Sequence, residues 1–272
     1  MSPWTETAGT AALIASGFLF GLRISRLRDY WWLSSYLAPL VLIALIAVPR
    51  RILSMGFVEP FSWVAEQRSQ FAILGFSLAS MAGTIFTRIP RPRERVLFNV
   101  FIALVALHFC LLPYLEPAFH RAHFATLRTV VDARGVCHQS ENWTCGPAAA
   151  VTLLRRMGLP AEEGELAILS RTSRSAGTPS RVLQQALLTR YGSLGLTCEY
   201  RLFGSIAELA AAGQVLAVIE YGILVDHWVP VMEITPTQVA VGDPLKGYRS
   251  YSHAEFDAIW RRTGLVVRRP GR

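Results

Sequence analysis

Apolar residues dominate the first part of the chain and are gathered into four long runs. The runs cover residues 7–22, 30–49, 70–87 and 96–115, and none of them contains an acidic residue, a lysine or an arginine. A helix needs about 20 consecutive apolar residues to cross a bilayer, and each run approaches or reaches that length. The pattern therefore predicts an all-α membrane domain of four transmembrane helices over residues 1–115.

The remaining residues carry shorter patterns that are typical of a folded domain with a polar surface. Residues 116–134 are predicted to form a connector, and residues 135–272 are numerous enough for one compact domain. Helical spacing of apolar positions comes first and short β-branched runs come later, which indicates an α+β domain. The predicted helices cover residues 145–157, 161–170, 180–191 and 205–212, and the predicted strands cover 215–221, 227–234 and 238–242.

Composition supports the membrane interpretation and argues against nucleic-acid binding. Apolar residues make up 52% of the chain and charged residues 17%, whereas ordinary soluble domains have roughly 25% charged residues. The net charge of +8 comes almost entirely from arginine. In the first part of the chain these arginines lie near the ends of the apolar runs, and the chain shows no basic stripe of the kind that binds nucleic acid.

The arginines also predict an orientation in the membrane. Loops on one side of the four spans carry seven basic residues, and loops on the other side carry three. The positive-inside rule then places both chain ends, and residues 135–272 with them, outside the cytoplasm of a bacterial-type cell. The seven are Arg23, Arg26, Arg28, Arg88, Arg91, Arg93 and Arg95, and the three are Arg50, Arg51 and Arg68.

Metal ions and cofactors are not predicted. The cysteines do not have the spacing of a zinc site, and the pair His120 and His123 is not accompanied by a cluster of carboxylates or cysteines. The phosphate-binding pattern G-x-x-x-x-G-K-[ST] does not occur in these 272 residues, so an ATPase module of that type is not expected. A disulfide between Cys137 and Cys198 stays open at this point.

Cys145 stands at the predicted start of a helix, with Gln139 six residues upstream. A thiol there lies at the positive end of the helix dipole, which favours the nucleophilic thiolate. The backbone N–H of Cys145 and the amide of Gln139 could together face an oxyanion. Gly146 would let a substrate approach the backbone closely. The alternatives are a buried structural cysteine and a surface glutamine.

His227 and Asp243 lie on two predicted strands that follow one another. His227 begins an apolar strand, and Asp243 comes directly after the next one. A short hairpin between the strands would bring the side chains together, so that Asp243 orients the imidazole that accepts the thiol proton. Asp226 would point to the opposite face of the strand. The alternatives are a core histidine without catalytic function and an ordinary Asp-Pro turn.

Three motifs together resemble those of the double-glycine, or bacteriocin-processing, cysteine peptidases. They are Cys137-His-Gln-Ser-Glu-Asn-Trp-Thr-Cys-Gly-Pro-Ala-Ala, His227-Trp-Val and Gly242-Asp-Pro-Leu-Lys-Gly. The resemblance covers about residues 134–265 and implies a papain-like fold. It also implies the functional residues: Cys145 as nucleophile, His227 as general base and acid, Asp243 as the residue that orients His227, and Gln139 as oxyanion-hole donor.

The best-known members of that family place the peptidase first and join it to a transporter with an ATPase, whereas here the membrane helices come first. We therefore predict a membrane-anchored cysteine peptidase that hydrolyses peptide bonds. Its expected partners are the lipid bilayer and a peptide or protein substrate. A Gly-Gly-type leader and a separate exporter stay open. Two alternatives remain: a thiol amidase or acyltransferase acting on cell-envelope peptides, and a non-catalytic peptide-binding membrane module.

Overall fold

A computed structural model describes residues 3–27, 30–52, 55, 57–59, 61, 68–222 and 225–269. The chain divides into two compact units, Met1–Phe119 and His120–Arg272. Residues 120–134, which include the short helix Arg121–Phe124, thus fold with the second unit rather than with the first.

Helices make up the first unit. Four of them are long and apolar enough to cross a bilayer: Pro3–Ile24, Trp31–Val48, Ser69–Arg88 and Pro92–Phe119. The four predicted apolar helices are therefore confirmed. The last span is interrupted by a π-helical turn at Leu107–Leu111. The helices are α1 (Pro3–Ile24), α2 (Ser34–Arg51), α3 (Ser69–Arg88), α4 (Pro92–Ala106) and α5 (Leu112–Phe119).

Glycines allow α1 and α3 to pack with their backbones in close contact. A Cβ atom added at Gly21 would overlap the carbonyl oxygen of Ser80, and one added at Gly83 would overlap that of Phe18. Small residues are the usual means of close helix packing in membranes, where helix association lacks a hydrophobic driving force. Gly17, one helical turn before Gly21, makes a similar close approach to α3.

Arg68 lies buried just before α3 and is paired within the first unit. Its guanidinium is 3.4 Å from the carboxylate of Glu6 and donates a hydrogen bond to the carbonyl oxygen of Pro113. It also lies 4.5 Å from the ring centroid of Tyr114. Such partners are needed because an unpaired charge out of water is costly. Arg68 therefore links the start of α3 to α1 and α5.

The second unit is an α+β domain, as predicted. Its main sheet has six strands in the order β3-β8-β4-β5-β6-β7, all antiparallel. The helices are α6 (Arg121–Phe124), α7 (Cys145–Arg156), α8 (Glu163–Leu169), α9 (Ser180–Tyr191), α10 (Ile206–Ala212) and α11 (His253–Ile259). The strands are β1 (Val130–Val131), β2 (Cys137–His138), β3 (Thr197–Leu202), β4 (Gln214–Gly222), β5 (Val225–Ile234), β6 (Gln238–Asp243), β7 (Gly247–Ser252) and β8 (Trp260–Arg268).

A buried apolar cluster joins the sheet to α10 and α11. Leu209 and Phe256 from these helices are fully buried against alternate residues of the central strands. The alternation follows from strand geometry, because every second side chain points to the same face of a sheet. The strand residues of the cluster are Val215, Ala217, Ile219, Val229, Val231, Val239, Val241, Trp260 and Val266.

The cysteines of the second unit are free thiols. The disulfide between Cys137 and Cys198 that the sequence left open is therefore absent from the structure. Burial raises the pKa of both thiols to about 12, which makes them unreactive at neutral pH. Cys145, by contrast, is partly exposed.

We expect Gly21→Ala to destabilise the first unit, because the added methyl overlaps backbone that cannot rotate away. Overpacking of this kind typically costs about 1–3 kcal/mol. Gly9→Ala is the matched control, because Gly9 lies on the same helix as Gly21 and a Cβ atom there would meet nothing within 4 Å. Thermal unfolding of the full-length protein in detergent measures both variants. Equal unfolding temperatures for the two would contradict this account of helix packing.

Candidate active site

Cys145 is the first residue of α7 and is partly exposed, whereas the next nine residues of the helix, 146–154, are buried. Pro147 lies in the first turn, where its missing N–H costs no hydrogen bond. The backbone N–H of the first helical residue has no carbonyl partner within the helix. The structure thus places a thiol and a free backbone donor at the same helix end.

Thr178 explains the glycine that follows the thiol. A Cβ atom on Gly146 would lie 2.8 Å from the Cβ of Thr178, so packing inside the protein already requires glycine here. The prediction that Gly146 serves the approach of a substrate is therefore not needed. The carbonyl oxygen of Thr178 also accepts a hydrogen bond of 3.1 Å from Nε1 of Trp228, the neighbour of His227. Thr178 thus contacts the residues next to both the thiol and the imidazole.

The hairpin of β5 and β6 brings His227 and Asp243 together. Val231 pairs with Val241, and continuing this register would place Asp243 opposite Val229. His227, two residues from Val229, then lies diagonally across on the same face, within reach of a long side chain. Nε2 of His227 is 2.8 Å from Oδ1 of Asp243, and both side chains are almost completely buried.

The two side chains shift each other's pKa. Burial by itself lowers the pKa of His227, but hydrogen bonds to Asp243 and Cys145, together with their charges, outweigh it and raise the pKa to about 9. Burial would raise the pKa of Asp243, but the hydrogen bonds from His227 and the backbone of Leu245, and the charges of His227 and Lys246, lower it overall. Both shifts favour a protonated imidazole beside an ionised carboxylate.

The thiol of Cys145 lies near the same imidazole and contributes to raising its pKa. Because Nε2 of His227 faces Asp243, the second ring nitrogen, Nδ1, is the one left for the thiol. Thiol, imidazole and carboxylate are therefore neighbours, with the imidazole between the other two. Asp226 takes no part in it, since its carboxylate pairs with Arg261 at 2.8 Å.

Gln139 is held close to the end of the same hairpin. Its backbone N–H donates to the carbonyl oxygen of Pro244 at 3.0 Å, and its side-chain Nε2 donates to the carbonyl oxygen of Glu141 at 2.7 Å. Oε1 is buried and has no hydrogen-bond partner within the described ranges. A primary amide carries two N–H donors, so one remains for a further acceptor.

The sequence interpretation missed a buried carboxylate beside this loop. Glu163, the first residue of α8, is fully buried and accepts hydrogen bonds from Ser140 and Thr144. The predicted helix over residues 161–170 has Glu162, Glu163 and Glu165 in its first turn, and Glu162 and Glu165 are more exposed than Glu163. Three acidic residues in one turn give no sign of which one is buried.

The histidines of the connector are not arranged as a metal site. Nε2 of His123 lies 2.7 Å from Oε1 of Glu141, and the ring of His120 packs 6.1 Å from that of Trp143. Within the ranges that the structure covers, no group of three or more His, Cys, Asp or Glu side chains could hold a metal ion.

Comparison with known proteins finds a family match for the second unit. A sequence profile of the peptidase C39 family matches residues 134–271. An uncharacterised protein of Methanothermobacter marburgensis is 28% identical over 134 residues, which cover 49% of this chain and 88% of the relative. A second uncharacterised protein, from Methanothermobacter thermautotrophicus, is 32% identical over 133 residues, which cover 48% of this chain and 87% of that protein.

Similar solved structures include peptidase domains. The double glycine motif protease from an AMS/PCAT transporter, solved with the leader peptide, is 18% identical, with a TM-score of 0.43 over 52% of this chain and 92% of its own. The peptidase domain of Streptococcus ComA, a bi-functional ABC transporter, is 20% identical and has a TM-score of 0.41. The match covers 48% of this chain and 94% of that domain. The profile match itself confirms the predicted papain-like α+β domain, which follows four apolar helices.

The pKa shifts predict how stability depends on pH. The folded-state pKa of His227, about 9, exceeds its ordinary value of 6.5, so the stabilisation from its protonated form is complete below pH 6.5 and is lost as pH rises through 9. Asp243, whose pKa is lowered, stabilises above its ordinary value of 3.8 and loses this effect as pH falls through its folded-state pKa.

We therefore expect the difference in free energy of unfolding between the wild type and Asp243→Asn to be largest between about pH 4 and pH 6.5 and to shrink towards pH 9. Chemical unfolding at a series of pH values measures it. Asp226→Asn is the control, because Asp226 is exposed and its carboxylate pairs with Arg261. A difference that grows between pH 6.5 and 9 would contradict the assignment of the pair.

Proposed function

Because this chain belongs to the peptidase C39 family, we propose that it is a membrane-anchored cysteine peptidase that hydrolyses peptide bonds through Cys145, His227 and Asp243. The observation that carries the proposal is the buried hydrogen bond between His227 and Asp243, with the Cys145 thiol near the same imidazole. A protein that only binds peptides has no need of a thiol paired with a buried, proton-holding imidazole.

The reaction begins with the thiol proton on His227. An imidazole with a pKa of about 9 holds its proton at neutral pH, which supports a resting pair of thiolate and imidazolium. Sγ of Cys145 attacks the carbonyl carbon of the scissile bond, and the carbonyl oxygen becomes an oxyanion. The backbone N–H of Cys145 and the free N–H of the Gln139 amide are the proposed donors to that oxyanion.

His227 then serves as acid and as base. Its proton passes to the amide nitrogen as the C–N bond breaks, leaving a thioester between the acyl group and Cys145. The neutral imidazole next removes a proton from a water molecule that attacks the thioester, and a second oxyanion forms and collapses to release the acid. Asp243 keeps the ring oriented and stabilises its positive charge through both steps.

The proposed substrate is a peptide with a Gly-Gly-type leader, because the three sequence motifs resemble those of double-glycine peptidases. The four apolar helices are the proposed anchor, and the second unit is proposed to lie outside the cytoplasm. The phosphate-binding loop of an ATPase does not occur in these 272 residues, so a separate exporter is the proposed source of any coupling to transport.

We expect the full-length protein in detergent to cleave a peptide library after pairs of small residues, and Cys145→Ala to abolish the cleavage. Gln139→Ala is expected to lower kcat by about 100-fold, the typical effect of losing one oxyanion donor. Mass spectrometry of the products identifies the bond that is cut. Cys198→Ala is the control, because this thiol is buried and unreactive.

Other outcomes of the same experiment separate the alternatives. Release of ammonia or acyl exchange without peptide cleavage, when lost in Cys145→Ala, would replace the peptidase with an amidase or acyltransferase. Unchanged cleavage by Cys145→Ala would rule out the catalytic group altogether.

The orientation is tested separately by a thiol reagent that does not cross membranes. In a variant whose only cysteine is Cys145, we expect labelling in intact cells, because this thiol is partly exposed. A variant that retains only Cys110, which is buried within the fourth span, should stay unlabelled. Labelling of Cys145 only after lysis would place the second unit in the cytoplasm.

A further inference from the structure

Glu163 is a fully buried acidic residue whose hydrogen-bond donors are uncharged. Its Oε1 accepts from the backbone N–H of Ser140 at 2.8 Å and lies 2.6 Å from the hydroxyl of Thr144. Its Oε2 accepts from the hydroxyl of Ser140 at 2.6 Å. Taking a carboxylate out of water is costly unless hydrogen bonds replace its hydration. A buried group that makes three short bonds to one loop therefore fixes that loop.

The bonds of Glu163 reach both ends of the loop that carries the proposed oxyanion donors. Ser140 directly follows Gln139, and Thr144 directly precedes Cys145. Between them, the hydroxyl of Thr144 accepts from the backbone N–H of Glu141 at 3.1 Å, and the carbonyl oxygen of Glu141 accepts from the Gln139 side chain. One carboxylate thus connects through the loop to the Gln139 amide and to the N–H of Cys145.

We propose that Glu163 is a positioning residue that holds residues 139–145 so that the Gln139 amide and the Cys145 N–H face the same oxyanion. The hydrogen bonds of the Glu163 side chain go to Ser140 and Thr144, and it acts through these two residues. The proposal rests on the proposed function, because it concerns the geometry of an oxyanion hole. It assigns a role in the reaction to a residue outside the Cys145–His227–Asp243 group.

Substitutions at Glu163 separate the shape of the side chain from its charge. Glutamine keeps an oxygen that can accept from Ser140 and Thr144, and its NH2 group can donate to the Ser140 hydroxyl. Alanine removes every acceptor and leaves buried donors of the loop without partners. We therefore expect Glu163→Gln to retain kcat within about tenfold and Glu163→Ala to lower it by about 100-fold, with KM changed much less.

A double-mutant cycle with Gln139→Ala distinguishes positioning from general stability. If Glu163 acts by orienting Gln139, then Glu163→Ala adds little in a protein that already lacks this amide. The double variant should have nearly the kcat of the single variants, at most a few-fold lower. Glu162→Ala is the matched control, because Glu162 is the exposed neighbour and pairs with Arg155.

The measurements are kcat and KM for the peptide that the wild type cleaves, together with the unfolding temperature of each full-length variant in detergent. An unchanged kcat in Glu163→Ala, or a double variant whose loss is the product of the two single losses, would overturn the proposal. If Glu163→Ala does not fold, Ser140→Ala enters the same cycle, because it removes one hydroxyl donor and keeps the carboxylate buried.

Failure of the proposed function has a different signature. In that case the wild type cleaves no peptide, and Cys145 reacts with iodoacetamide no faster than an ordinary thiol. Cleavage by the wild type, lost in Cys145→Ala but unaffected at Glu163, would leave the peptidase in place and remove only the positioning role.

Discussion

The buried hydrogen bond between His227 and Asp243 is the interaction on which the geometry of the site depends. It forms only if β5 and β6 pair in the observed register, in which Val231 faces Val241. The same strand end carries Pro244, whose carbonyl oxygen holds the backbone of Gln139. A slip of one residue would turn Asp243 to the other face of the sheet. The apolar residues that fix the register therefore also fix the site.

The two units of the chain are stabilised by different means. In the first, glycines let helix backbones approach closely, which is the usual means of helix association where burial of apolar side chains gives no gain. In the second, burial of apolar residues from four strands and two helices forms a core. Polar groups near the site, such as Glu163, are tolerated because each has hydrogen-bond partners.

Elements with a strong periodic pattern are those that the sequence predicted well. The four apolar helices, the helix Ser180–Tyr191 and the pair of strands that carries His227 and Asp243 all lie close to their predicted positions. The strands β3, β7 and β8 were missed, because two are short and polar and β8 directly follows a helix. Glu163 could not be recognised, since its burial results from a tertiary contact with a loop more than 18 residues upstream.

The connector contributes to the second unit in a way that its sequence does not reveal. The hydroxyl of Thr129 accepts a hydrogen bond from the backbone N–H of Glu163 at 2.9 Å. Phe124 is almost fully buried, and its carbonyl oxygen lies so close to Gly164 that a Cβ atom there would overlap it. The family match begins only at residue 134. A soluble fragment cut at that boundary would lose both contacts. Fragments for crystallisation or kinetics should therefore begin at His120 or earlier.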